Sequence, residues 1–124
     1  TDMTMTNGFR TMLGLALGLL AVTAAADTAN LTAFVEKTMV YGDSTRGGCL
    51  AALSKNPAAV LPACKKTWVT FSCDGTYTDP VRAYRMLDQA QLALATGLQV
   101  QITVTDAKMH DGYCFVNQIK VMTE

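Results

Sequence analysis

Histidine, one-sided charge and long apolar runs are all scarce in this chain, and each scarcity argues against a class of function. The only histidine is His110, and no two cysteines stand in a C-x-x-C spacing. Short-spaced zinc ligands and a C-x-x-C redox centre are therefore not expected. Ten Lys and Arg balance ten Asp and Glu, whereas a protein that neutralises nucleic-acid phosphates needs a basic stripe. The one basic pair, Lys65-Lys66, reads as a solvated strand end. The apolar run "MLGLALGLLAV", Met12 to Val22, falls well short of the roughly 20 residues that a membrane-spanning helix requires. Internal repeats, low-complexity tracts and linkers are also missing from the rest of the chain.

That short run is informative in its own way. Arg10 precedes it, and Ala24 and Ala26 follow it. A basic flank, an apolar stretch and small residues at the end describe a secretory signal peptide, expected over residues 1–26 with cleavage before Asp27 and with Met3 and Met5 as candidate starts. Residues 27–124 then form one small domain, secreted or periplasmic. In such a compartment Cys49, Cys64, Cys73 and Cys114 read as two disulfides. Four thiols allow three pairings, and spacing does not choose among them.

Residue patterns place the elements. "LTAFVEKTMVY" (Leu31–Tyr41) is rich in β-branched and aromatic residues and reads as a first strand, ending at "GDSTRGG". "CLAALSK" is a weak second strand, stopped by Asn56-Pro57. "KKTWVTFSC" reads as a third, with Val69, Phe71 and Cys73 on one face and Trp68, Thr70 and Ser72 on the other. A helix follows: Asp79 is its N-cap, Pro80 its first residue, Ala83, Leu87, Ala90 and Leu94 its apolar stripe and Gly97 its stop. Met86 and Leu92 lie off that stripe, so either the domain buries its helix on more than one side or that second surface meets another subunit. "LQVQITVT" alternates strictly, so Val100, Ile102 and Val104 share a buried face. "DAKMHDG" reads as a turn and "YCFVNQIKVM" as the last strand of a hairpin. The class is mainly β with one helix, and the order β-β-β-α-β-β is that of a small OB-type five-stranded barrel.

Two segments carry a family resemblance. "CLAALSKNPAAVLPAC" and "MLDQAQLALATGLQVQITV", through Cys49, Ala63, Cys64, Trp68, Leu87, Gln89, Ala90, Thr96 and Gly97, resemble the receptor-binding B subunits of subtilase cytotoxin and of the pertussis-like typhoid toxin, over about residues 30 to 105. The resemblance implies an OB-fold subunit that forms a ring of five, binds cell-surface glycans and carries a separate catalytic toxin subunit. It implies a Cys49–Cys64 disulfide, leaving Cys73 to Cys114. It also places sugar contacts just before the first strand, where Asn30 and Thr32 are the polar residues of this chain.

Read for chemistry, the sequence offers no catalytic set, and an enzyme is not expected. His110 reads as an exposed structural histidine in a turn, and the acids are scattered singly, with no facing pair of the kind a glycosidase needs. The Asn30-Leu31-Thr32 glycosylation sequon is common by chance. Of the aromatics that could stack on a sugar, Trp68, Tyr77, Tyr84 and Tyr113, Trp68 stands out because it alternates with polar Thr70 and Ser72. The expected ligand-binding residues are thus Asn30, Thr32, Trp68 and Thr70. No metal or cofactor is expected, the expected partner is a cell-surface glycan, and the chain is expected to self-associate. The alternative is a monomeric periplasmic or extracellular OB-type protein-interaction module.

Overall fold

A computed structural model describes residues 26–123. The expected leader lies outside the described residues except for Ala26. Five strands and one long helix follow in the expected order: β1 (Thr28–Val40), β2 (Cys49–Leu53), β3 (Trp68–Thr70), α1 (Pro80–Thr96), β4 (Gln99–His110) and β5 (Tyr113–Met122). Short 3-10 turns at Thr45–Gly47 and Pro57–Ala59 punctuate the first half. The strands form one closed ring in the order β1-β2-β3-β5-β4, with β4 returning to β1. Every pairing is antiparallel except β3 with β5, which meet in parallel at Thr70 and Phe115.

β1 makes the ring possible because it serves two neighbours in turn. Thr28 to Phe34 pair with β4, Val35 to Val40 pair with β2, and an irregularity between Val35 and Lys37 marks the handover. Its alternation sends Leu31, Ala33 and Val35 inward and leaves Asn30, Thr32 and Phe34 outside. Val100, Ile102 and Val104 of β4 complete the same core, as their alternation predicts. β2 shows no alternation because all five of its residues are buried, which is why its sequence reads weakly as a strand.

Helix α1 starts and stops where local chemistry dictates. The Asp79 carboxylate accepts the Val81 N–H at 3.2 Å, Pro80 supplies the preset first turn, and left-handed Gly97 returns its N–H to the Ala93 carbonyl. Its buried row is Ala83, Leu87, Ala90 and Ala93. Leu94, expected there, is 39% exposed. Ala93 and Leu94 stand three and four residues after Ala90, so helical spacing admits either to the stripe, and it is Ala93 that is buried.

Three further expectations are corrected. The third strand is only Trp68–Thr70, because Thr67 (φ 75°) and Ser72 (φ 56°) adopt left-handed backbone on either side and end the ladder. The expected turn at "DAKMHDG" is strand as far as His110, and only Asp111 (φ 53°) and Gly112 (φ 85°) turn the chain. The disulfides join Cys49 to Cys73 and Cys64 to Cys114, with Cα separations of 5.7 and 5.4 Å, in place of Cys49–Cys64 and Cys73–Cys114. The reason lies in the pairing. β2 runs beside β3, so the Phe71 N–H reaches the Cys49 carbonyl and the Asp74 N–H reaches that of Gly47, which sets Cys49 against Cys73. The loop bearing Cys64 lies on the β4–β5 hairpin end, where the Lys65 N–H bonds the Gly112 carbonyl.

Candidate functional site

The four expected ligand residues do not converge. Asn30 and Thr32 are exposed on the half of β1 that pairs with β4, and Asn30 accepts a 2.9 Å hydrogen bond from the Thr103 hydroxyl. Trp68 is half-buried on β3, on the far side of β2. Thr70 is fully buried, and its hydroxyl donates to the Arg46 carbonyl at 2.8 Å. The face that alternation marks as wet is interior there, because the turn carrying Arg46 and Gly47 lies over it.

Beneath that turn the structure assembles a polar cluster that no local pattern announces. His110 ends β4 with its side chain only 15% exposed, in place of the exposed turn position expected. Its Nε2 lies 2.9 Å from the Ser72 hydroxyl and 3.6 Å from the Asp74 carboxylate. The Ser72 hydroxyl donates its one proton to Asp74 at 3.0 Å. Hydrogen counting then assigns a proton to His110 Nε2, which donates to the Ser72 oxygen. Partial burial opposes ionisation of Asp74. The Thr76 N–H at 3.0 Å, the Ser72 hydroxyl and the neighbouring imidazole outweigh it and hold the carboxyl below its ordinary value.

Ser72, His110 and Asp74 together do not form a proton relay. In a relay the carboxylate grips the ring nitrogen opposite the one facing the nucleophile. Here both side chains meet Nε2, and Ser72 is fully buried. The cluster instead fixes Tyr77. The Tyr77 N–H bonds the Ser72 hydroxyl at 3.3 Å, its phenol donates to the Met109 carbonyl at 2.7 Å, and its ring lies 4.8 Å from that of His110.

Tyr77 is one wall of a groove of about 590 Å³ between α1 and β5, a volume in the range of small-ligand sites. Its other aromatic wall is Phe115, whose ring centroid is 5.7 Å from that of Tyr77. β5 carries a bulge here: Val116 pairs with Val104 and Gln118 with Thr103, so Asn117 has no partner. The extra residue breaks the alternation, and the exposed amides of Asn117 and Gln118 both line the groove, with Gln89 of α1 lining it too. Arg82 and Arg85 of α1 and Lys108 of β4 add three cations, and Asp88 is the only carboxylate. Apart from the His110–Asp74 contact, no basic nitrogen lies within 4.0 Å of a carboxylate oxygen among the described residues.

Sequence reasoning missed this groove because it followed the apolar stripe of the helix. Arg82, Arg85 and Gln89 recur at near-helical spacing beside that stripe, which is the signal that could have marked a second, polar face. Fold and groove together define a small disulfide-stapled β domain with a polar, positively biased groove. Neither the protein-family models, nor the curated proteins, nor the solved structures contain a match to this chain.

Proposed function

We propose that the protein is an exported, non-enzymatic receptor-binding subunit, a small OB-type barrel that holds a cell-surface glycan in the groove between α1 and β5. The observation that carries this reading is the Asn117 bulge, which turns two consecutive amides of one strand into the groove that Gln89 lines from the helix. Amides both donate and accept, so they suit ring hydroxyls, and Tyr77 offers an aromatic wall. The OB-type assignment is supported by the strand order β1-β2-β3-β5-β4 and by the helix between the third and fourth strands. Export is supported by the two disulfides and by the leader-like N-terminus.

Self-association into a ring, and carriage of a catalytic chain, follow from the resemblance to toxin B subunits. Val81, Tyr84, Leu92 and Leu94 are exposed on α1 and supply apolar surface for a protein contact. The same surface favours a second reading, a monomeric interaction module that docks a protein partner through the helix. Each glycan site should bind weakly, and a ring would raise avidity by presenting several.

The test combines native mass with glycan-array binding for the oxidised protein, its Gln89→Ala/Asn117→Ala variant, and Thr32→Ala and Trp68→Ala. A ring whose glycan binding is lost only in the groove variant supports the reading. Loss on Thr32→Ala or Trp68→Ala would move the site to the outer face of β1 or to β3. A stable monomer without glycan binding would favour the interaction module.

A further inference from the structure

The groove is charged in a way that glycan binding alone does not require. Arg82, Arg85 and Lys108 face a single carboxylate, Asp88, in a protein of zero net charge. Their placement works against the fold. The N-terminal end of a helix carries a positive partial charge and favours acids in its first turn, yet beyond the Asp79 N-cap carboxylate α1 has none there. Arg82 occupies the third helical position, where Glu or Gln would reach back to the N-cap. Arg85 stands one helical turn further on the same side. Two guanidinium groups and a lysine thus outnumber the carboxylates beside them, Asp88 in the groove and Asp79 at the helix cap, and an anion is the species that gains from that balance.

We propose, resting on the glycan reading above, that the groove selects saccharides bearing two or more anionic groups, sulfates or carboxylates on neighbouring sugars. Arg82 and Arg85 take one group by forked, charge-assisted hydrogen bonds. Lys108, whose Nζ lies 5.9 Å from the Phe115 ring centroid, meets the other as a point charge. Asn117, Gln118 and Gln89 read the hydroxyl groups between them. A single anionic group would leave part of this charge unmatched. An acidic peptide is the rival polyanion, but an extended chain would bind by adding a strand to a sheet edge, and in the closed ring β5 already has β3 on one side and β4 on the other.

The experiment is calorimetric titration of the whole disulfide-bonded protein with four probes over a range of salt concentrations. They are a sulfated heparin-derived oligosaccharide, its desulfated, N-acetylated and carboxyl-reduced uncharged counterpart, a lactose capped with one carboxylate sugar, and oligoglutamate. The sulfated probe is expected to bind at least about 10-fold tighter than the others, with an affinity that falls as salt rises, in proportion to the two or three charges neutralised. Arg82→Gln/Arg85→Gln should weaken that binding about 10-fold or more while leaving the melting temperature unchanged or higher, since it removes repulsion at the helix end. A fall in melting temperature with unchanged affinity would mean that the arginines serve the fold, and would overturn the proposal. Equal binding of the uncharged counterpart, lost on Gln89→Ala, would overturn the charge selection while leaving the glycan reading intact. Tighter binding of oligoglutamate would overturn the saccharide class, and no saccharide binding at all would sink both readings.

Discussion

Gly47 is the position where one added methyl group should cost this protein most. Its φ is +86°, and a Cβ there would fall 2.6 Å from both His110 Cδ2 and Thr70 Oγ1. Neither neighbour is free to retreat. The Thr70 hydroxyl is held by the Arg46 carbonyl at 2.8 Å, and His110 is held by Ser72 at 2.9 Å and packed on Tyr77. Left-handed backbone costs an alanine about 1–2 kcal/mol, and forcing a methyl into a filled site costs about 1–3 kcal/mol more. Gly47→Ala should therefore destabilise by about 2–5 kcal/mol, and a loss of 3 kcal/mol in a domain this small lowers the melting temperature by about 12–24 °C. Two other glycines separate the terms. Gly97 has φ +71° with nothing within 4 Å of its added Cβ, so Gly97→Ala should carry the conformational cost alone, about 1–2 kcal/mol. Gly42 has open space and no left-handed backbone, and Gly42→Ala should stay within about 0.5 kcal/mol of wild type. Urea denaturation of the three oxidised variants reads all three numbers. If Gly47→Ala unfolds no more easily than Gly97→Ala, the rigid polar cluster under the 45–48 turn is wrong.

Three other outcomes are expected. Peptide mapping of the oxidised protein should link Cys49 to Cys73 and Cys64 to Cys114; with separations of 24 and 50 residues, chain-entropy arithmetic assigns them about 3.5 and 4 kcal/mol, so Cys64→Ser/Cys114→Ser should be the costlier pair removal. Because the Asp74 carboxyl is held below its unfolded value of 3.8, its stabilising contribution is complete above that value and is lost as the pH falls through the lower folded one. Asp74→Asn should flatten the stability profile in that acid window, and an unchanged profile from pH 6 to 3 would refute the assignment. At the end of α1, Ala93→Leu should cost about 1–3 kcal/mol by overpacking while Leu94→Ala stays near neutral, and the reverse order in thermal melts would restore Leu94 to the buried row.

Much of the architecture was legible because it is written in short-range patterns. Asp79, Pro80 and Gly97 mark the helix through groups that bond within a few residues of themselves, and the alternation of Val100, Ile102 and Val104 reports one buried face. The same rule misled at Thr70 and Ser72. Polar residues alternating with Val69 and Phe71 suggest a wetted face, yet both are buried and hydrogen-bonded, Thr70 to Arg46 and Ser72 to Asp74 and His110. The charges and amides of Arg82, Arg85 and Gln89 could be read off the chain. That they line one groove with Lys108, Asn117 and Gln118 could not, because the opposite wall is a strand whose approach depends on closing the ring.

What the sequence determines by itself is therefore local: the helix and its ends, the inward row of β4, the order of elements and the availability of four cysteines for two bridges. Each follows from hydrogen bonds or side-chain periodicity spanning a few residues. Tertiary structure alone decided which cysteines meet, since Cys64 faces Cys114 only once the loop before β3 lies on the β4–β5 hairpin. It also decided that His110 and Ser72, 38 residues apart, share a proton network, and that a bulge in β5 faces the cationic side of α1. Those contacts arise from the register and closure of a five-stranded ring, in which each strand's neighbours are set by all the others, so no single stretch of the chain contains the information that specifies them.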